Sequence, residues 1–552
     1  MGVALHLLAT LATICVLSSR VSSYDEGLQD PLFENLDPTK YKAACPDYKN
    51  FAAHPHPPFS SGPMGLPFQR PHKYCRTFES PAADALIEKF KADMLDPDLA
   101  RLFENAFPNT LDTTIRWHVD STPKPKNFKT KWAPNAWKGP QTFIVTGDIN
   151  AEWLRDSTNQ LAAYQWLLGN KRDKKMYNLI LGAINTQAEY VIASPYCNAF
   201  QPPAPSGLDP TYQGDGDVVH PLYEPSFVFE CKYELDSLAN FLSLANQFNN
   251  HTSGSTDFLT PRWLEGLQTL LDVLTSQSMP TFNPSTGAYQ KNIYSFQRRT
   301  DTGTETLNLK GNGNPLNAGT GLIRSAFRPS DDATILGFLI PSNAMMSVEL
   351  KRTAAILQKA GKKQLAGTVR EWSQQIEAGI WEHGVVTHKK YGEVFAYEVD
   401  GYGSSILMDD ANLPSLLALP LSGFVSTSNP VYKNTRRMIL EQSGNPYFLT
   451  GQDFKGIGGP HIGLQHAWPM SVMVQAMTSE DDEEIKLCLE AVKNASRLGL
   501  IHESVNVEYA GDYTRPWFAW ANSVFAQLVL DLNHRKPWLL FGEGRKEGLK
   551  LV

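Results

Sequence analysis

The chain has 552 residues, 42% of them apolar and 19% charged, with a formal net charge of −7. That length and apolar content support a large folded core, and exclude a disordered or low-complexity chain. The slight acidity, without a Lys/Arg-rich run, argues against nucleic acid as a partner.

Residues 3–17 are apolar and lead to Val21-Ser22-Ser23, the pattern of a secretory signal cleaved near Ser23, although its start lacks Lys and Arg. No later stretch approaches the roughly 20 apolar residues of a membrane span, so the mature chain is expected to be soluble, secreted or in the secretory lumen. Cys15 would leave with the signal. The remaining cysteines lack the close pairs of zinc sites, so we pair Cys45 with Cys75 and Cys197 with Cys231 as disulfides of an oxidising compartment. Cys488 shares an apolar face with Ile485, Val492 and Ala495 and reads as a buried free thiol. Asn250 and Asn494 head glycosylation triplets.

Residues 24–140, rich in Pro, Lys and His, read as an irregular N-terminal wrap with one periodic stretch at 84–95. At 146–157 the chain reads TGDINAEWLRDS, which places Trp153, Arg155 and Asp156 together. An indole offers an apolar face to a sugar ring, while Arg beside Asp offers directional hydrogen bonds to hydroxyls. Ser157 and Gln160 have capping-box spacing, which starts a helix at Ser157 and leaves Arg155 and Asp156 just outside it. Pairing of Arg155 with Asp156 to tie down that helix entry is the plainer alternative.

From there helical spacing dominates, at 177–192, 233–248, 261–276, 340–359, 365–382, 467–478, 483–498 and 520–532, whereas alternating strands are scarce. An all-α arrangement of antiparallel helix pairs over 141–540 is therefore expected. Residues 300–321, polar and Gly-rich, read as an inserted loop. Arg328 precedes the doublet Asp331-Asp332, which opens an apolar run through Leu339; Asp409-Asp410, followed by Asn412, similarly precede Leu413, Leu416 and Leu417. Both runs read as buried helices. One acid suffices to cap a helix, so a doublet leaves a spare carboxylate for ligand hydroxyls, although each acid alone is equally well a cap. Glu503 beside His502 reads on its own as a helix-start acid, and Glu234 and Asp236 as buried contacts supporting a cleft. Four acids at 331–332 and 409–410 also leave open a calcium-dependent hydrolase.

The segments TGDINAEWLRDS, CKYELDSL, FRPSDDATILGFLIPSN, LMDDANLPSLLALP, GIGGPH and IHESVN…YTRPWFAWANS, in this order, resemble glycoside hydrolase family 125. The resemblance implies an (α/α)6 barrel and an exo-acting, inverting α-1,6-mannosidase that uses no metal or cofactor. It further implies a general base at Glu503 and a general acid at Asp331 or, as the close alternative, Asp332. Arg155, Asp156, Arg328, Asp409, Asp410, Asn412 and His461 are then candidate sugar contacts, with Trp153, Trp517 or Trp520 as a stacking face or as core. The expected partner is a mannose-containing oligosaccharide or glycoprotein glycan, bound by a monomer. An inactive carbohydrate-binding protein on the same scaffold is the alternative.

Overall fold

The computed structural model describes residues 40–124, 135–171, 173–212 and 216–551, so the signal-like residues 3–23 lie outside it. A small unit includes the turn of helix Tyr41–Ala44 and the Lys73–Cys75 turn, joined by the Cys45–Cys75 disulfide and by Tyr41 stacked on Tyr74 at 4.3 Å. The large unit comprises residues 47–71 and 76–552.

Within the large unit two kinds of helix alternate along the chain. Leu154–Ala162, Leu235–His251, Ile340–Lys359, the single turn Leu419–Ser422, Pro469–Met477 and Ala519–Arg535 form the inner set. These are apolar or buried on nearly every side, as a helix enclosed by others must be; Leu235–His251 is buried from Leu235 without interruption to Asn246. Pro97–Ala106, Lys174–Ala193, Pro261–Gln277, Lys363–His383, Pro430–Ile439 and Asp482–Ala495 form the outer set. Lys363–His383 shows the difference, burying only a stripe through Ala366, Val369, Ser373, Ile376 and Ile380. The ring closes where Ala519–Arg535 packs on Leu154–Ala162, with Ser523 Oγ donating to Asn159 O at 2.7 Å. This is an (α/α)6 barrel, and no sheet among the described residues is closed.

Strands are short, and three of them lead the chain directly into an inner helix. Glu152–Trp153 pairs with Ala199–Phe200, Phe338–Leu339 with Glu398–Val399, and His466–Ala467 with Val505–Asn506. Two-residue pairings leave no alternating pattern to read, which is why the sequence suggested so few. They also move two expected boundaries. The first inner helix starts at Leu154, because the strand pairing ends at Trp153; Arg155 and Asp156 are in its first turn, and Ser157 Oγ reaches back toward Leu154 O at 3.5 Å rather than capping. The run after Asp331-Asp332 is extended loop and strand, and its helix begins only at Ile340. After Asp409-Asp410 there are turns until Leu419.

The segment expected to be irregular contains Pro81–Asp93, Pro97–Ala106 and Asn109–Thr113, whose apolar residues join the main core. Cys197 and Cys231 are bonded and Cys488 is a buried free thiol, as expected. Among the described residues no helix is long and apolar enough to cross a membrane.

Capping separates every outer helix except Lys363–His383 from the inner set. Asp96, Asp173, Thr260, Asn429 and Asp481 each accept a hydrogen bond from the first turn of an outer helix. The residues in the same position of the inner helices, Trp153, Glu234, Leu339, Ala418, Trp468 and Phe518, make no side-chain cap. Polar side chains at the inner-helix N-termini are thus left for other partners.

Trp263 anchors an outer helix to the inner ring, with no exposed surface and its ring centroid 5.5 Å from Phe241 and 4.9 Å from Phe258. Trp263→Ala should cost about 3–5 kcal/mol, read as a lowered denaturant midpoint; a change within error would show that the helix pair does not depend on this contact.

Candidate active site

Each of the six motif segments ends at, or leads into, an inner-helix N-terminus, and their side chains meet there. Arg155 is at the centre. Its Nη1 donates to Glu234 Oε2 at 2.6 Å, its Nη2 lies 3.2 Å from Asp156 Oδ2 and 3.8 Å from Asp331 Oδ1, and Asp236 Oδ2 is 3.7 Å from Nη1. The guanidinium also lies over the Trp520 ring at 5.2 Å. Burial pushes the Asp156 carboxyl up to about 7, against the pull of Arg155, with Asp331 and Glu503 adding to the rise.

Asp331 has φ of 66°, a left-handed conformation that a non-glycine residue adopts at a cost, and its side chain is 23% exposed. Its Oδ1 accepts from Asn198 Nδ2 at 3.0 Å and from Trp153 Nε1 at 3.3 Å. Burial works to raise its carboxyl, but Arg155 and Lys232 outweigh it and hold the group well below the usual carboxylate range. No helix starts at this residue, so the positive field on it comes from Arg155 and Lys232.

Asp332 points elsewhere. Its Oδ1 is 3.3 Å from His461 Nδ1, Ser330 Oγ donates to its Oδ2 at 3.3 Å, and its side chain is 2% exposed. Burial lowers the His461 pKa, but Asp332, followed by the charges of Asp331 and Glu503, raises it to about 9. Nearby, Arg328 Nε donates to Glu398 Oε1 at 2.6 Å and its guanidinium covers the Tyr397 ring at 5.4 Å. Asp410 Oδ1 accepts from both the backbone N–H and the Nδ2 of Asn412 at 3.0 Å. Burial raises its carboxyl and the charge of Asp332 adds to that. Asp409 uses its two oxygens on the backbone N–H groups of Leu416 and Leu417 at 2.8 and 2.9 Å, so it braces a turn.

Glu503 lies in a loop, not at a helix start. Its Oε2 accepts from Thr514 Oγ1 at 2.9 Å and is 3.3 Å from Arg515 Nε. Arg515 Nη1 in turn donates to Asp148 Oδ1 at 2.9 Å. His502 takes no part in this: it stacks on Tyr513 at 4.0 Å, its Nδ1 is 2.8 Å from Arg515 O, and burial lowers its pKa to about 4. Burial lowers the Arg515 pKa, but Glu503, Asp148, Asp156 and Asp331 together raise it. Arg515 and His461 therefore each feel both Glu503 and Asp331, which joins residues 172 positions apart in one electrostatic neighbourhood.

The three indoles are all buried. Trp153 offers its N–H to Asp331, and Trp520 lies beneath Arg155. Trp517 packs on Tyr48 at 5.1 Å and on Gly147, where an added Cβ would come within 3.0 Å of its ring, at φ +141°. Sequence reasoning missed Asn198, Lys232 and Arg515 and underrated Glu234. Asp148 and Arg515 stand within quoted motifs, but nothing in local spacing pairs residues so far apart.

Several buried polar atoms here make no hydrogen bond among the described residues: Arg155 Nε, Asp156 Oδ2, Asp236 Oδ2, Arg328 Nη2 and Asp410 Oδ2. Such atoms are costly unless something pairs with them, and polyhydroxyl ligands are well suited to do so. Among the described residues, no group of three or more His, Cys, Asp or Glu side chains is arranged to hold a metal ion.

The comparisons agree with this chemistry. The chain is 53% identical over 498 residues to the Meiotically up-regulated gene 157 protein of Schizosaccharomyces pombe, covering 90% of this chain and 94% of that one. A metal-independent α-mannosidase from Streptococcus pneumoniae, solved in a non-productive substrate complex with α-1,6-mannobiose, is 32% identical with a TM-score of 0.71 over 82% of this chain and 99% of its own. The family model for metal-independent α-mannosidases, GH125, matches residues 96–530, and the chain belongs to that family.

Proposed function

We propose that this α-mannosidase is an exo-acting, inverting enzyme that removes terminal α-1,6-linked mannose from N-glycans or mannan-type oligosaccharides. What supports this is that the charges of Glu503 and Asp331 both act on Arg515, whose Nε is 3.3 Å from Glu503 Oε2, and on His461, 3.3 Å from the neighbouring Asp332. Inversion requires one carboxyl to protonate the leaving oxygen and another to activate water on the opposite face, roughly 6.5–9.5 Å away. The α-1,6-mannobiose bound by the pneumococcal relative supports the linkage.

Glu503 is the base in this reading, oriented by Thr514 and Arg515. Asp331 is the acid rather than Asp332, because Asp331 is the accessible member of the doublet while Asp332 is enclosed against His461 and Ser330. Asp156, Arg328, Asp410 and His461 hold the hydroxyls, Asn412 positions Asp410, and Asp409 keeps that loop in place. The two disulfides support a secretory lumen or the cell exterior as its compartment.

Glu503→Gln should lower kcat on α-1,6-mannobiose by roughly 10²–10⁴-fold with little change in KM; ordinary turnover would remove Glu503 from the mechanism. Asp331→Asn should lose a similar factor on mannobiose and far less on an aryl mannoside, whose leaving group needs little protonation. Should Asp332→Asn show that selectivity instead, the acid is Asp332. Early NMR spectra of the product should show β-mannose, and α-mannose appearing first would exclude inversion.

A further inference from the structure

Asp331 must deliver a proton in the reading above, yet it lies among Arg155, Lys232 and His461, whose charges favour the ionised form. The group facing it is Glu234, whose side chain has no exposed surface. Asn198 Nδ2 bridges them, donating to Glu234 Oε1 at 3.1 Å and to Asp331 Oδ1 at 3.0 Å. The amide cannot turn over without loss, because Asn198 Oδ1 accepts from the backbone N–H of Lys232 at 3.0 Å. Glu234 and Asp331 thus share one amide donor and one guanidinium, with Arg155 Nη1 2.6 Å from Glu234 Oε2 and Nη2 3.8 Å from Asp331 Oδ1. Two carboxyl groups held this close in a buried place favour a state in which one of them carries a proton.

We infer that Glu234 is a positioning residue that stores the catalytic proton: it holds the proton shared with Asp331 between turnovers and passes it to Asp331 as the glycosidic bond breaks. The inference rests on Asp331 being the acid. In the step, the Glu234 O–H bond breaks as an Asp331 O–H bond forms, and Asp331 then protonates the departing glycosidic oxygen, which leaves as an alcohol. Glu503 takes a proton from the attacking water, whose oxygen bonds to the anomeric carbon. Solvent afterwards removes the proton from Glu503 and restores one to the pair, so one water is consumed and nothing is oxidised or reduced. The charge left on Glu234 is met by Arg155 Nη1 at 2.6 Å and Ser237 Oγ at 2.9 Å.

Burial and the neighbouring Asp331 and Asp236 carboxylates raise Glu234 well above its ordinary value against the pull of Arg155, so the pair keeps its proton to higher pH than Asp331 alone would. Asp156, on the same helix as Arg155, and Asp236 also face this cluster, and burial pushes them up to about 7 and about 6. A pH limb alone is therefore not diagnostic, and leaving-group dependence must accompany it.

The test is the pH profile of kcat/KM for wild type, Glu234→Gln and Glu234→Asp on α-1,6-mannobiose and on an aryl α-mannoside. Glu234→Gln should move the alkaline limb for mannobiose toward acid by about one unit or more and lower its kcat by about 10²-fold, with the aryl substrate losing only a few-fold; Glu234→Asp should restore part of both. Equal losses on both substrates with an unmoved limb would mean that Glu234 merely holds Arg155, and would overturn the inference. If Glu234→Gln fails to fold, Glu234→Asp decides alone: the same limb shift and substrate selectivity support proton storage, and their absence refutes it. Wild type inactive on mannobiose would defeat the functional reading as well, whereas an active wild type with an unmoved limb in the variants defeats only this one.

Discussion

Arg155 is enclosed by Glu234, Asp156, Asp236 and Asp331, with contacts from 2.6 to 3.8 Å and almost no solvent access. Four carboxyl groups around one guanidinium cannot all be ionised in a buried place, so the cluster must retain protons that free carboxylates would have released. Removing one partner from a buried pair strands the other, typically at a cost of about 3–5 kcal/mol. The first inner helix supplies Arg155 and Asp156, the second supplies Glu234 and Asp236, and the loop before the third supplies Asp331. The cluster is therefore also a joint between three successive segments of the ring.

The contrast in helix capping explains how so many acids became available. Five of the six outer helices use Thr, Asp or Asn caps for their orphan N–H groups, as an exposed helix start commonly does; Lys363–His383 is the exception. Inner helices instead carry Trp, Glu, Leu, Ala and Phe at the cap position, and three of the six enter from short paired strands. Glu234 illustrates the consequence: at the cap position of its helix, its carboxylate is spent on Arg155, Asn198 and Ser237 rather than on the helix backbone. Asp409 is the exception among the candidates, since it does bond two backbone N–H groups.

The two sides of the site differ in kind. Around Asp331 the carboxyls are crowded about Arg155. Around Glu503 a single carboxylate is held by Thr514 Oγ1 at 2.9 Å and Arg515 Nε at 3.3 Å, with no second carboxyl in contact among the described residues. His461 and Arg515 span the two, each positively charged and each within range of both acids. Water activation on one side and proton delivery on the other are the separate tasks that an inverting hydrolysis asks of its two carboxyl groups.

Periodicity in the sequence determined four of the six outer helices and the long inner ones, but neither Pro97–Ala106 nor Pro430–Ile439. Residues 340–359 and 261–276 read as helices almost to the residue, because apolar spacing and terminal Pro are local signals. The motif order implied the family, and with it the barrel and Glu503. Apolar density at 335–339, however, could not distinguish a buried helix from a buried extended segment, and the paired strand Phe338–Leu339 made it the latter. Local sequence carries no record of what stands across the ring. Only the tertiary structure decided that Asp331 faces Glu234, that Asp332 faces His461 and that Glu503 is held by Arg515, because those choices depend on which inner-helix ends the closed barrel brings together.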